Sequence, residues 1–322
     1  MYDTVSQLGV DIGGSGVRVA AFEPDRLGRF VASDAKELAY EGRGVAECLA
    51  RCIELLASEA DLNGASAILG IAAPGVQTED GRGLVQARNI PAEEHLLDEL
   101  ATRLQERGLD SVTVPQRLVI DALAALFGET VAAGGLLPGV HEALFIGPGS
   151  GLAEARLVDG EAMPVGGTRA VDLPPVRDDG TCADLEEEAS LGGLVSRWRD
   201  SGPASGGREL SIEAAAESGS PTARAHLERF AAALVRVIEV RSSVLEELRG
   251  AGDSQPVILM RTRRGEFFAN AAVQSIVVPL LRAAAGRQGA TLIVPDRPVS
   301  SHVACAGALA LTLRSTTPPQ IP

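Results

Sequence analysis

The segment Val10-Asp-Ile-Gly-Gly-Ser-Gly16 puts a carboxylate two residues ahead of a glycine cluster, between two short runs rich in Val, Ala and Phe. Glycines at 13, 14 and 16 present backbone N–H groups with no side chain in the way, so phosphate oxygens can come close. Asp11 sharpens this, because a carboxylate beside a phosphate cradle has a use when a cation, usually magnesium, or a catalytic water lies between them. In a bare hairpin turn the same Asp is only a turn-former. The glycine spacing is neither GxGxxG nor GxxxxGK followed by Ser or Thr, so a dinucleotide-binding dehydrogenase and a P-loop NTPase are poorly supported. A second glycine turn follows in Phe145-Ile-Gly-Pro-Gly-Ser-Gly151, and Asp121 stands where a strand meets a helix, a place where a carboxylate commonly caps free N–H groups.

The elements that position these groups are read from periodicity and turn residues. Residues 5 to 12 and 17 to 22 predict two strands around the turn Gly13–Gly16, and His141 to Gly160 predicts a second hairpin. Strand, glycine turn, strand thus occurs twice, as two related half-molecules would show. Helices are expected at Gly44 to Ala60, Glu93 to Arg107, Ala122 to Ala133, Pro221 to Leu248, Ala269 to Ala285 and Ser301 to Leu313. Further strands are expected at Ser66 to Ile71, Arg117 to Ile120, Pro256 to Met260 and Thr291 to Val294. Pro164 to Cys182 and Pro203 to Gly207 read as loop, and Ser315 to Pro322 as a disordered tail.

With 322 residues, 45% of them hydrophobic, the chain can bury two cores, and two domains are expected. A net charge of −14, with Lys36 the only lysine, disfavours a track for nucleic-acid phosphates. No signal peptide and no membrane span are read, so a cytoplasmic protein is expected. The four cysteines are scattered and read as reduced thiols. Cys48 and Cys52, one helical turn apart, read as packing residues rather than metal ligands.

The order VDIGGSGVRVA, LGIAAPG (Leu69 to Gly75), ARNIP (Ala87 to Pro91), VIDALAALFGE (Val119 to Glu129), FIGPGSG and DLEEEAS (Asp184 to Ser190), closed by CAGALAL (Cys305 to Leu311), resembles the ROK family of glucokinase-like sugar kinases. The resemblance implies a two-domain α/β, actin-like ATPase (ribonuclease H-like) fold with the active site in the cleft. The domains would be 1–118, completed by a helix at about 301–314, and 119–300. It implies ATP with magnesium as cofactors, a phosphate-holding set of Asp11, Gly13, Gly14, Ser15, Gly16, Arg18, Gly147, Gly149, Ser150 and Gly151, and Asp121 as the base. Gly75, Arg88, Asn89, Asp121 and Glu186 become the acceptor-binding set, with Arg169 an additional polar candidate. A homodimer is implied as well.

The departures bear on the acceptor. Ile120 stands where family kinases carry a sugar-binding Asn, Gly166 to Ala170 replaces a GExGH segment, and Cys182 alone survives of a zinc loop, so no zinc is expected. Glu186 is followed by Glu187 and Glu188, and such a run is usually a solvated face. The basic run Arg261 to Arg264 stands in place of a glycine pair and reads as a surface loop. The expected function is ATP-dependent phosphorylation of a non-glucose sugar, amino sugar or carbasugar (cyclitol), with an inactive pseudokinase that binds a ligand or acts as a scaffold as the alternative. With only seven residues before Leu8 there is no winged helix of the kind the family's regulators carry, so a regulator is not expected.

Overall fold

The computed structural model describes residues 6–59, 66–87, 89–165, 176–177, 182–183, 185–201, 211–252, 254–262, 266–296 and 302–316. By internal contacts the chain forms two compact units, Met1–Gly139 with His302–Pro322, and Val140–Ser301. The first contains β1 (Ser6–Gly13), β2 (Gly16–Pro24), β3 (Phe30–Ala39), α1 (Val45–Glu59), β4 (Ala67–Ala73), β5 (Val76–Gln77), β6 (Leu84–Gln86), α2 (Leu96–Glu106), β7 (Val112–Thr113), β8 (Val119–Ile120) and α3 (Asp121–Val131). The second contains β9 (Ala143–Pro148), β10 (Leu152–Val158), β11 (Glu161–Pro164), β12 (Val176–Arg177), β13 (Cys182–Ala183), α4 (Leu185–Ala189), α5 (Leu191–Ser201), α6 (Ile212–Glu217), α7 (Pro221–Val240), α8 (Ser242–Ala251), β14 (Val257–Met260), α9 (Glu266–Ala269), α10 (Ala271–Ile276), α11 (Val278–Arg287) and β15 (Thr291–Ile293). The chain then returns to the first unit as α12 (Val303–Thr316).

The main sheets share one plan. In the first, the order is β3-β2-β1-β4-β7 with β8 also on β4; in the second it is β11-β10-β9-β14-β15. Each is an antiparallel three-stranded meander continued by parallel strands. The echo of two glycine-turn hairpins is therefore a repeat of topology.

Strand alternation decides which groups meet in the first unit. Leu8, Val10 and Ile12 point into the core formed with α1 and α2. Gly9, and with it Asp11, faces the side where α12 packs. A Cβ on Gly9 would lie 2.1 Å from the Cys305 carbonyl oxygen, and one on its cross-strand partner Gly70 would lie 2.3 Å from the Leu309 Cα. The α12 backbone lies equally close to α3, since a Cβ on Gly128 would be 1.9 Å from the Val303 carbonyl oxygen and one on Gly307 1.9 Å from that of Ala124. These contacts make α3 part of the first unit, so the division falls after Gly139 and not before α3, where the sequence pattern puts it.

Several elements differ from expectation. β3 went unread because its ten residues include Asp34, Lys36 and Glu37 and lack a clean apolar alternation; it is an edge strand, where charge is common. α2 begins three residues late because the Glu93 backbone pairs with Leu84, its N–H on the Leu84 carbonyl at 3.0 Å and its carbonyl on the Leu84 N–H at 2.9 Å, while its carboxylate accepts the N–H groups of Val45 (2.6 Å) and Ala46 (3.1 Å) at the start of α1. The long helix expected from Pro221 to Leu248 breaks at Arg241, whose guanidinium grips Glu154. The helix expected over 269–285 is three pieces: Asn270 caps α10 by accepting the Ala272 and Val273 N–H groups, and Pro279 stands in the first turn of α11. α12 runs to Thr316, past the point where the disordered tail is expected to begin. Within the expected loop 164–182, Val176–Arg177 pairs with Cys182–Ala183. Residues 203–207 lie outside the described ones.

Cys48, Cys52 and Cys305 are fully buried. Burial pushes both Cys48 and Cys52 up, and Cys52, with the Cys48 thiol as a second cause, reaches about 12. At pH 8 these thiols are expected to resist iodoacetamide and to react only as the protein unfolds, which site-resolved mass spectrometry would check.

Candidate functional site

The sheet of the first unit brings two carboxylates to one edge. Asp11 pairs in register with Ala72 of β4, and Ala72 with Val119 of β8, all three strands being parallel. Asp11 and Asp121 therefore emerge at the carboxyl ends of strands two steps apart, about 10 Å at the usual strand spacing. In open α/β sheets this edge is where ligands bind.

The row continues the other way. Arg18 is the cross-strand partner of both Asp11 and Glu37, and its Nη2 donates to Glu37 Oε2 at 2.8 Å. Asp11 is 5% exposed and Arg18 3%. Arg18 is thus a buried ion-pair partner beneath the turn and not a residue open to solvent on it. His302, just before α12, lies in the field of Arg18 and Glu37; burial first and the Arg18 charge second hold its pKa below the usual histidine value. No sequence motif marked His302.

The first glycine turn is Gly14-Ser15 between the paired Gly13 and Gly16. Ser15 is exposed, and Tyr40 donates its hydroxyl to the Gly13 carbonyl at 2.7 Å. Gly16 has a packing reason: a Cβ there would lie 2.2 Å from the Leu38 carbonyl oxygen on β3.

Asp121 is the first residue of α3. The cap position is Ile120, in extended conformation, and Asp121 Oδ1 accepts the Ala122 N–H at 2.8 Å. The side chain is half-buried at a helix start, where aligned N–H groups favour negative charge. Gly75 (φ +84°) closes the loop after β4; a Cβ there would be 2.2 Å from the Gln86 carbonyl oxygen. That contact docks the tight turn in which Ala87 bridges Ile90 and Asn89 is exposed at φ +62°. Left-handed backbone suits Asn, so the turn itself accounts for its type. Arg88, and Arg169 with the rest of 166–170, lie outside the described residues.

In the second unit the glycine turn joins β9 to β10. Gly147 is packed, its Cβ position 2.8 Å from the Phe145 ring, whereas among the described residues a Cβ on Gly149 would meet nothing closer than the Gly151 carbonyl oxygen at 3.8 Å. The Gly149 N–H donates to the Gly151 carbonyl at 2.8 Å, and the Gly192 N–H donates to the Gly149 carbonyl at 3.0 Å. A Cβ on Gly192 would lie 2.5 Å from the Ser150 carbonyl oxygen, so the start of α5 packs onto the turn.

The acidic run resolves into three roles. Glu186 Oε1 accepts the Leu152 N–H at 3.2 Å, Glu187 is exposed, and Glu188 pairs through both oxygens with Arg229 at 2.7 and 2.8 Å. Arg261, expected in a surface loop, is instead 6% exposed, with its N–H on the Ile146 carbonyl at 3.4 Å beside the second turn. Arg263 and Arg264 lie outside the described residues.

No protein-family profile and no curated protein matches the chain. Solved structures do. A ROK family glucokinase from Streptomyces griseus, in complex with glucose and AMPPNP, superposes with a TM-score of 0.64 at 18% identity, covering 96% of this chain and 99% of that one. A ROK hexokinase from Thermus thermophilus gives 0.63 at 18%, over 97% and 100%. An inorganic polyphosphate/ATP-glucomannokinase from Arthrobacter gives 0.56 at 18%, over 97% and 100%. Over nearly its whole length, the chain has the actin-like fold of the ROK sugar kinases.

Proposed function

We propose that the protein transfers the terminal phosphoryl group of ATP to a hydroxyl of a small sugar-like polyol: a non-glucose sugar, an amino sugar or a carbasugar. The observation that carries this is the register Asp11–Ala72–Val119, which sets Asp11 with its glycine turn and Asp121 on one sheet edge. Asp121 takes the acceptor proton as the acceptor oxygen bonds phosphorus and the bond to the departing ADP oxygen breaks. Asn89 and the loop closed by Gly75 lie after β4, on the same side of the sheet, and supply polar contacts to the acceptor. Ile120 beside Asp121 offers no hydrogen bond, which argues against glucose.

Phosphates are assigned to Gly13–Gly16 in the first unit and Gly147–Gly151 in the second. Gly149 supports this, because neither packing against the described residues nor a left-handed φ requires glycine there, whereas close approach of a ligand does. Magnesium fits Asp11, since that ion takes one or two carboxylates and fills its remaining positions with phosphate and water. When bound it would offset charge on the terminal phosphates. The relatives of this fold carry the same chemistry in their names, one holding an ATP analogue and one using polyphosphate or ATP.

Phosphate transfer measured with ATP, ADP and polyphosphate against a panel of sugars and cyclitols tests the proposal. No turnover together with no nucleotide binding would sink it. Gly149→Ala is expected to leave the melting temperature unchanged and to weaken donor binding roughly tenfold, because the added Cβ occupies the side of the turn from which a phosphate would approach. A binding protein of the same fold without transfer is the second reading, favoured by one feature: the second turn's N–H groups at 149 and 152 are engaged by the chain itself.

A further inference from the structure

We infer that Tyr40 is a positioning residue for the phosphoryl donor, its hydroxyl holding the Gly13–Gly14 peptide in the one orientation that offers the Gly14 N–H to phosphate. This rests on the phosphate-holding role of Gly13–Gly16 proposed above. The Tyr40 hydroxyl donates to the Gly13 carbonyl at 2.7 Å. A trans peptide carries its carbonyl and its N–H on opposite edges, so drawing the Gly13 carbonyl to Tyr40 turns the Gly14 N–H to the other side. With glycine before and after it, this peptide has no Cβ to resist rotation, and a flipped peptide would present its carbonyl, which repels phosphate, in place of the N–H. An unanchored turn would have to be ordered by the donor at the donor's cost in affinity.

Tyr40 is itself well held. Its ring packs against the core that β1 and β2 share with α1 and α2, which sets the reach of its hydroxyl. The end of β3 lies directly on the glycine turn, since a Cβ on Gly16 would be 2.2 Å from the Leu38 carbonyl oxygen and 3.0 Å from the Ala39 Cα. Just beyond, the Arg43 N–H donates to the Tyr40 carbonyl at 2.7 Å and closes a tight turn in which Glu41 (φ +46°) and Gly42 (φ +82°) are both left-handed. For Glu41, which has a Cβ, that backbone is strained and persists only where its surroundings impose it. The hydroxyl is thus fixed from the core side and from both sides along the chain.

The test is titration calorimetry of AMPPNP and of inorganic tripolyphosphate, each with magnesium, beside thermal melts, on the wild type, Tyr40→Phe and Ser33→Ala. Phenylalanine keeps the ring in the core and removes only the hydroxyl. Ser33→Ala is the matched control, because on the same strand it removes a hydroxyl that donates to a neighbouring backbone carbonyl, that of Ala21 at 3.4 Å, and not to the turn. Tyr40→Phe is expected to weaken both probes roughly fivefold, since one typical hydrogen bond no longer holds the binding orientation before the donor arrives. Ser33→Ala is expected to bind both probes like the wild type, with a similar small change in melting temperature. Wild-type affinity in Tyr40→Phe would overturn the positioning role and leave the phosphate site standing. Equal weakening by Ser33→Ala would assign the effect to a loosened β3 and overturn it too, as would weakening of AMPPNP alone, which would place Tyr40 at the nucleoside. No binding of either probe by the wild type would overturn both the inference and the phosphate site.

Discussion

Asp121→Asn is expected to lower turnover by ~10²–10⁴ while leaving nucleotide affinity within about twofold, because the change removes a proton acceptor and no phosphate contact. The isosteric amide keeps an oxygen for the Ala122 N–H, and α3 is held by the backbone contacts of Gly128 and Gly307 with α12, so the fold should not move. A structural helix-start residue would behave differently: its loss would lower the melting temperature and leave turnover per folded molecule unchanged. Steady-state kinetics beside a thermal melt separate the two. Unchanged kcat would remove Asp121 from the site.

The largest stability effect is expected from Arg241→Ala in the second unit. Glu154 stands on β10, its side chain 2% exposed, and both its oxygens are held by Arg241 at 2.9 and 2.7 Å. Removing the cation leaves a buried carboxylate without its counter-charge, which costs about 3–5 kcal/mol and lowers the melting temperature on the order of 10 °C for a unit of this size. The same change frees the α7–α8 junction, since Arg241 is the residue between the two helices. Replacing both partners with apolar side chains, Arg241→Met with Glu154→Leu, should recover most of the loss, because no charge then remains buried. A double variant as unstable as the single one would assign the effect to the helix junction instead of the ion pair.

Much of the fold was legible because its signals are local. Both glycine-turn hairpins, α1, α3, β4, β14 and α12 are encoded by apolar spacing and turn residues within windows of a few residues, and they stand within a few residues of their expected ends. β3 was not legible, because an edge strand pairs on one side only and tolerates Asp34, Lys36 and Glu37. The break at Arg241 was not legible either, since the Glu154 carboxylate that holds its guanidinium lies 87 residues away in sequence.

The site divides in the same way. The sequence by itself determined the groups: Asp11 ahead of one glycine turn, a second glycine turn, and Asp121 at a strand-to-helix junction. Tertiary structure decided what each group faces. Cross-strand register put Asp11 and Asp121 on one edge and buried Arg18 between Asp11 and Glu37. Packing made Gly16 a steric necessity and, among the described residues, left Gly149 without one. Among three adjacent glutamates it sent Glu186 to the turn, Glu187 to solvent and Glu188 to Arg229. Residue type and short-range spacing are properties of the chain, whereas register and burial arise only when distant segments close on one another.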